Sequence, residues 1–157
     1  MILVAGIGNI FFGDDAFGSE VARRLLSRDL PEGVQVVDFG IRGIDLAYAL
    51  LDEHDMVIIV DAAARGGLPG TLYVIEPYLN DAEAAGIEAH SMDPMHVLAA
   101  AQTMGAELNR VRIVGCEPES LGSQEEGRMG LSPRVYAALD EAIGIIESLI
   151  QEACVRT

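Results

Sequence analysis

The junction between a short apolar run and the glycine-rich segment after it constrains this fold more than any other feature. The run MILVA at positions 1–5 is apolar throughout, which is typical of a buried strand. The segment 6–18, GIGNIFFGDDAFG, then supplies four glycines and two adjacent acids. Asp14 is placed to cap a helix that we predict to run to about Arg28, since apolar residues recur there at helical spacing. The chain therefore begins with a strand, a glycine loop and a helix.

Two nucleotide-binding motifs share this layout, and the residues exclude both. A dinucleotide fingerprint has the pattern G-x-G-x-x-G, but after Gly6 and Gly8 the third glycine position holds Phe11. A phosphate-binding loop with a lysine is excluded because all ten basic residues of the chain are arginines. Asp14 and Asp15 also occupy the N-terminal end of the predicted helix, where carboxylates repel phosphate and suit a cation.

Size and charge narrow the possible classes further. A chain of 157 residues is about one domain, which we assign to residues 1–157, and it buries roughly 70% of its unfolded surface. The formal net charge of −15 makes nucleic acid a poor partner, because phosphate binding relies on clustered basic residues. No apolar span reaches 20 residues and no basic region precedes the first strand, so we expect a cytoplasmic protein without membrane insertion.

The rest of the chain predicts a mixed sheet flanked by helices. Further strands are predicted from apolar and alternating runs at 34–39, 56–60, 71–76 and 111–115. Further helices are predicted at 44–52, at 92–104 and from 133 onward. The segment 62–70 is too short for the crossover that a parallel neighbour needs. We therefore expect the strand at 71–76 to lie antiparallel at an edge of a mostly parallel sheet.

Three candidate ligands fall at the carboxyl ends of these strands, where ligands gather in an open α/β sheet. Asp15 follows the first strand, Asp61 follows the strand at 56–60, and His90 lies where the chain returns to this end of the sheet. Two carboxylates and an imidazole suit nickel, zinc, iron or cobalt better than calcium, which prefers oxygen ligands alone. From spacing alone an alternative stays open, in which Asp15 and His90 only cap helices and Asp61 only accepts a hydrogen bond.

Several short motifs follow one another along nearly the whole chain. They are GIGN-x-x-x-GDD-x-x-G at 6–18, VDA at 60–62, PGT at 69–71, a histidine at 90, and G-x-x-PES followed by GLSP between 115 and 133. With these motifs the chain resembles the hydrogenase maturation endopeptidases, which trim the large subunit of nickel-iron hydrogenases. The resemblance implies a three-layer α/β/α sandwich with a sheet of about five strands. It also implies that Asp15, Asp61 and His90 are the catalytic and metal-contacting residues.

The activity that the resemblance implies is an endopeptidase acting on a protein partner. Its substrate would be a nickel-loaded large-subunit precursor, from which it removes a C-terminal extension. The resemblance implies that Ni2+ is contributed by the substrate, and that another divalent metal can take its place. We expect the protease to be a monomer. The activation of water stays open between polarisation by the metal and a carboxylate base.

Several residues need a separate interpretation. Asp15 stands where other members of the family have glutamate, so one ligand is a methylene shorter. His96, a second histidine six residues after His90, is interpreted as a surface residue. Cys116 has no histidine near it in the sequence, so we interpret it as a buried structural cysteine. Asp38, near the end of the second strand, is interpreted as an acid that organises a loop or supports the site.

Two other functions stay open at this stage. A phospho-receiver switch also places acids after its first and third strands, as Asp14, Asp15 and Asp61 are placed here, but it uses a lysine that this chain lacks. A nickel carrier would bind the metal without cutting a peptide. Incubation with an acyl phosphate and Mg2+ tests the first function, and a cleavage assay tests the second.

Overall fold

A computed structural model describes residues 1–78, 93–119 and 130–155. Within these ranges the strands are β1 (Ile2–Ile7), β2 (Val34–Gly40), β3 (Met56–Ala62), β4 (Leu72–Ile75) and β5 (Val111–Cys116). The helices there are α1 (Phe17–Leu26), α2 (Gly43–Ala49), α3 (Pro94–Thr103), α4 (Pro133–Ala137) and α5 (Leu139–Val155). A short 3₁₀ helix, Gly13–Ala16, precedes α1.

These strands form a mixed sheet in the order β2-β1-β3-β5-β4. β1 pairs in parallel with β2 and β3, and β3 pairs in parallel with β5. β4 pairs antiparallel with β5, and Leu72 lies opposite Cys116. The predicted antiparallel edge strand is confirmed, and the physical reason is the short connection between β3 and β4.

Helices cover both faces of the sheet and divide the core in two. β1 shows this division, because successive side chains of a strand point to opposite faces. Ile2 and Val4 pack with α1, α4 and α5, whereas Leu3, Ala5 and Ile7 pack with α2 and α3. The predicted three-layer α/β/α sandwich is confirmed, whereas the assignment of residues 1–157 to one domain stays a prediction. No helix in the described part of the chain is both long and apolar enough to cross a membrane.

The first helix begins later than the sequence predicts. The backbone N–H of Asp15 donates to the carbonyl oxygen of Phe12 at 3.1 Å, so the chain makes a tight 3₁₀ turn over Gly13–Ala16. α1 then begins at Phe17 and ends at Leu26. The two adjacent acids therefore lie in a turn at the carboxyl end of β1.

β3 is two residues longer than predicted. Asp61 pairs with Gly115 and Ala62 pairs with Cys116 across the parallel ladder to β5. Asp61 thus lies within the last residues of the strand instead of directly after it. The ladder holds its backbone more rigidly than a loop would, which suits a residue that must keep a fixed position.

Candidate active site

Two glycines near the carboxyl end of β1 allow α1 to lie directly against the sheet. A Cβ atom on Gly18, in the first turn of α1, would collide with the carbonyl oxygens of Val60 and Ile7. A Cβ atom on Gly6 would collide with the carbonyl oxygen of Gly18. Such a close approach of backbones needs residues without a side chain. These glycines therefore pack the helix on the strand ends, and this packing holds Asp15 beside the end of β3.

Asp15 and Asp61 line the same cleft at the carboxyl ends of the parallel strands. The Oδ2 atom of Asp15 accepts a hydrogen bond from the backbone N–H of Asn9 at 2.9 Å. The Oδ1 atom of Asp61 accepts one from the backbone N–H of Ala62 at 2.8 Å. Within the described residues, the second oxygen of each carboxylate makes no hydrogen bond. Each acid is thus oriented by the backbone and keeps one oxygen for a ligand.

Burial makes both carboxylates harder to ionise than a free aspartate. Removal from water, followed by the charge of Asp15, raises the pKa of Asp61 well above its ordinary value. Burial also raises the pKa of Asp15, and the hydrogen bond from Asn9 opposes that shift. Two carboxylates that repel each other are stabilised by a shared proton or by a cation between them. The pair is therefore suited to acid–base chemistry and to holding a divalent metal.

The cleft around these acids has a volume of about 700 Å³, which is in the range of sites that bind ligands. Its described lining adds the acids Glu76 and Asp93, and Arg65 is the only basic residue in that lining. Ile75 and Met95 contribute apolar side chains. Such a surface combines a negatively charged region with apolar contacts.

His90, the third predicted ligand, lies outside the described residues. Within the ranges that the structure describes, no group of three or more His, Cys, Asp or Glu side chains is placed to hold a metal ion. The structure therefore brings together two of the three predicted site residues, Asp15 and Asp61. Their carboxylates supply oxygen ligands, and a complete metal site needs further donors from elsewhere in the chain or from a substrate.

His96 is more buried than the sequence predicts. It lies on α3, and its side chain is only 25% exposed. Its Nδ1 atom lies 3.8 Å from the Oδ2 atom of Asp93, the residue that caps α3 by accepting a hydrogen bond from Met95. The ring turns back toward the start of its own helix, so the predicted surface position is partly covered. His96 is not among the residues that line the cleft.

Asp14 does not cap α1, contrary to the sequence prediction. Ala16 occupies the cap position of α1, and no side chain caps the helix there. The buried carboxylate of Asp14 instead accepts hydrogen bonds from the backbone N–H of Glu119 at 2.9 Å and of Ser132 at 2.7 Å. The Ser132 hydroxyl donates a further one at 2.8 Å. Asp14 therefore joins the glycine loop to the segments that follow β5 and precede α4.

Glu117, to which the sequence assigns no role, anchors the segment after β3. Its side chain is buried, and its Oε1 atom accepts hydrogen bonds from the N–H groups of Arg65 at 2.8 Å and Gly67 at 2.9 Å. The hydroxyl of Tyr73 donates to the same oxygen at 2.8 Å. The hydrogen bond from Arg65, followed by that from Tyr73, lowers the pKa of Glu117. The one sequence signal for this role is an acid directly after a buried strand.

Neither Asp38 nor His54 lines the cleft, and each contacts the backbone close to it in the sequence. The Oδ1 atom of Asp38 accepts a hydrogen bond from the N–H of Gly40 at 3.0 Å, and its Oδ2 atom lies 3.4 Å from Nε of Arg23. The Nε2 atom of His54 lies 2.9 Å from the carbonyl oxygen of Ala49, the last residue of α2. Asp38 thus fixes the backbone at the end of β2, and its role in organising a loop or supporting the site stays a prediction.

Cys116 is fully buried at the end of β5, as predicted for a structural cysteine. Burial, followed by the charges of Asp14 and Glu117, raises the pKa of its thiol to about 12. The thiolate is the nucleophilic form of cysteine, so very little of that form exists at neutral pH. This environment argues against Cys116 as a catalytic nucleophile.

We expect one reactive thiol in each native chain, because Cys154 is exposed and Cys116 is buried. Titration with DTNB at pH 8 should detect one thiol in the native protein and two in guanidinium chloride. The variant Cys154→Ser should lose the native signal, and Cys116→Ser should keep it. Rapid labelling of native Cys154→Ser would contradict this assignment.

Comparison with known proteins decides the family. The sequence model of the HycI family, described as hydrogenase maturation protease, matches residues 19–149. The chain belongs to the hydrogenase maturation protease family. The protease is 35% identical over 147 residues to a putative hydrogenase maturation protease of Methanocaldococcus jannaschii, and the match covers 92% of this chain and 93% of that relative.

Solved structures agree with this assignment. The hydrogenase maturating endopeptidase HybD of Escherichia coli has a TM-score of 0.79 and 30% sequence identity, covering 97% of this chain and 93% of that one. The hydrogenase 2 maturation peptidase of a Thaumarchaeota archaeon has a TM-score of 0.73 and 32% identity, covering 96% and 97%. The protease therefore has the α/β fold of these endopeptidases and is a peptidase.

The two alternative functions are not favoured by these findings. A receiver of the flavodoxin-like type has the strand order 2-1-3-4-5, whereas here β5 lies between β3 and an antiparallel β4. A nickel carrier that cuts no peptide does not fit membership of a peptidase family.

Proposed function

We propose that the protease removes a C-terminal extension from the large-subunit precursor of a nickel-iron hydrogenase after nickel has been inserted. The observation that carries this proposal is the pair formed by Asp15 and Asp61. Both side chains line one cleft, and burial, followed by the charge of Asp15, raises the pKa of Asp61. The similarity to hydrogenase maturation endopeptidases supports the substrate class.

The donor atoms of the pair fit a divalent cation. Each carboxylate has one oxygen fixed by a backbone N–H and a second oxygen without a partner in the described residues. A cation between these oxygens would offset their repulsion and favour the ionised form of both acids. In this proposal the nickel belongs to the substrate, and His90 supplies a third contact. Another divalent metal with borderline ligand preference can occupy the same position.

This arrangement gives the protease a way to recognise a finished precursor. Two carboxylates and an imidazole include no soft thiolate, so they hold nickel less firmly than a site that also contains cysteine ligands. Nickel already bound in the precursor would bring its other ligands with it. A precursor without nickel would leave the two acids facing each other unneutralised, and it would bind weakly for that reason.

The protein's contribution to peptide hydrolysis is proton transfer and orientation. A water molecule attacks the carbonyl carbon of the scissile peptide bond, and one of the two carboxylates takes up a proton from it. The carbon–nitrogen bond then breaks, and the leaving nitrogen takes that proton from the carboxyl group. A metal held by Asp15 and Asp61 would supply polarisation of the carbonyl group or of the water. This makes the enzyme an aspartate-dependent peptidase, which we place in the cytoplasm as a monomer on the basis of its sequence.

We expect cleavage to require nickel in the precursor and His90 in the protease. Purified large-subunit precursor, with and without nickel, should be incubated with the wild type, and the mass of its C-terminal region followed. The nickel-free precursor should be cut at least about 100-fold more slowly, because the central contact is missing. His90→Ala should lose most activity on the loaded precursor, whereas the matched variant His96→Ala should retain it.

Two outcomes would contradict the proposal. Equal cleavage of the two precursors would show that nickel is not the docking point. A loss of activity in His96→Ala with full activity in His90→Ala would show that the third contact has been assigned to the wrong histidine.

A further inference from the structure

Arg65 is the one positively charged residue in the described lining of the cleft. That lining contains four acids, namely Asp15, Asp61, Glu76 and Asp93. No carboxylate in the described residues forms an ion pair with the Arg65 guanidinium. A cation beside several acids would usually be paired with one of them, so an unpaired guanidinium here is available to a ligand.

The backbone of Arg65 is fixed by the buried carboxylate of Glu117. One oxygen of that carboxylate accepts hydrogen bonds from the N–H of Arg65 at 2.8 Å and from the hydroxyl of Tyr73 at 2.8 Å. The guanidinium carbon of Arg65 lies 5.6 Å from the centre of the Tyr73 ring. Glu117 thus positions both the arginine and the aromatic ring over which its side chain lies. This reduces the number of rotamers that the arginine must lose on binding.

Two other arginines show what is distinctive about this arrangement. Arg24 lies over the ring of Tyr136 at 5.2 Å, but it also pairs with Glu20. Arg42 lies over the ring of Phe39 at 5.8 Å, but it also pairs with Asp45. Each of these has an acidic partner on its own or a neighbouring turn, and neither lines the cleft. Arg65 alone among the three combines an aromatic support, an unpaired guanidinium and a place in the site.

We propose that Arg65 binds an oxygen acceptor of the substrate peptide beside the scissile bond. The acceptor is a carboxylate or a main-chain carbonyl oxygen, both of which match the donor geometry of a guanidinium. The proposal rests on the proposed function, since it names how that substrate is held. In it Arg65 is a substrate-binding residue, and Glu117 is the residue that positions it. In this arrangement Asp15 and Asp61 contact the metal of the substrate, and Arg65 contacts its peptide chain.

The test measures kcat and KM for the nickel-loaded precursor with the wild type, Arg65→Gln and Arg65→Lys. Loss of a charged hydrogen bond should raise KM by about 10- to 100-fold in Arg65→Gln. Its kcat should stay within about threefold, because the arginine does not take part in proton transfer. Arg65→Lys should recover part of the loss, since lysine keeps the charge without the planar pair of donors. Arg24→Gln is the matched control and should leave both constants unchanged.

A second measurement tests the positioning role and the source of the acceptor. Glu117→Ala should raise KM less than Arg65→Gln does, because the arginine remains but its backbone N–H loses the acceptor that fixes it. A precursor whose acidic residues near the cleavage site are replaced by amides should then be compared. If the effect of Arg65→Gln disappears with it, the acceptor is a carboxylate. If the effect persists, the acceptor is a carbonyl oxygen, and either result supports the proposal.

The results that would overturn the binding role of Arg65 differ from those that would overturn the proposed function. An unchanged KM in Arg65→Gln, or a fall in kcat alone, with an active wild type would refute the binding role of Arg65. An equal rise of KM in Arg24→Gln would refute it as well, because the effect would then not be specific to the cleft. A wild type that leaves the nickel-loaded precursor intact would overturn the proposed function and this inference together.

Discussion

Replacing Asp61 with alanine is expected to lower kcat/KM for the nickel-loaded precursor by at least about 10³-fold. Asp61 sits at the end of a strand that is paired on both sides, and it lines the cleft together with Asp15. In the proposed reaction it contacts the substrate's metal and shares the proton chemistry with Asp15. Removing its carboxylate would therefore remove both functions at once.

The variant Asp61→Asn separates this role from folding. Asparagine keeps an oxygen that can accept the hydrogen bond from Ala62, but it cannot ionise. We expect the same loss of activity. Because the pKa of Asp61 is raised in the folded state, its ionised form is unfavourable at neutral pH, and its stability contribution improves as the pH falls. Asp61→Asn should therefore melt no lower than the wild type at pH 7 with a chelator present.

An aspartate outside the cleft provides the control for the loss of activity expected in Asp61→Asn. Asp45 lies on α2 with an exposed side chain, and it does not line the cleft. Asp45→Asn should keep kcat/KM within about twofold of the wild type. If Asp61→Asn retained more than a tenth of the wild-type activity, neither a metal contact nor proton transfer could be assigned to this residue.

The sequence predicts the parts of the fold that depend on local spacing. The position of β4 follows from the length of the connection before it, because such a short segment cannot make a parallel crossover. The end of β3 depends on a distant pairing instead. Asp61 belongs to the strand only because Gly115 of β5 lies beside it, and no feature near position 61 reports that contact.

The two adjacent acids of the glycine loop also have roles that depend on contacts with residues distant in the sequence. Spacing permits either Asp14 or Asp15 to face the ligand, and it favours a capping role for Asp14. The structure gives Asp14 partners at Glu119 and Ser132, which are remote in the sequence, and leaves Asp15 in the cleft. Strand-end position and the family motif both select Asp15, and the physical basis of this choice is the 3₁₀ turn that sends neighbouring side chains in different directions.

The cluster around Glu117 could not be predicted for a related reason. Its hydrogen-bond donors, Arg65, Gly67 and Tyr73, lie on a loop and on the edge strand β4, far from Glu117 in the chain. Composition and periodicity describe neighbours in sequence, whereas this cluster exists because β4 returns antiparallel beside β5. Its details therefore depend on the pairing of the two strands.

Replacing Gly18 with alanine is expected to cause a large loss of stability, because α1 lies against the sheet at this position. The new Cβ atom would meet the carbonyl oxygens of Val60 in β3 and Ile7 in β1. Both are backbone atoms of central strands, so neither can move aside without disturbing the sheet. We expect a destabilisation of about 3 kcal/mol or more, which lowers Tm by about 6–12 °C for a chain of this size.

Gly144 provides the matched control, because it is also a helical glycine and, outside its own helix backbone, no atom of the described residues lies within 4 Å of an added Cβ. Gly144→Ala should raise stability by roughly 0.5–1 kcal/mol, since alanine restricts the unfolded chain and favours the helix. Guanidinium denaturation of the two variants should therefore shift in opposite directions. A Gly18→Ala midpoint equal to that of the wild type would show that α1 does not lie as close to the strand ends as described.

The same substitution should affect activity at temperatures where the variant is still folded. Gly18 sets the distance between α1 and the sheet, and the turn before α1 carries Asp15 to the cleft that Asp61 lines. A displacement of about 1 Å between two groups that act on one substrate can cost about 100-fold in rate. We therefore expect folded Gly18→Ala to cleave the nickel-loaded precursor about 10- to 100-fold more slowly, while Gly144→Ala cleaves at the wild-type rate. Full activity in folded Gly18→Ala would separate helix packing from the geometry of the two acids, and the glycine loop would then serve stability alone.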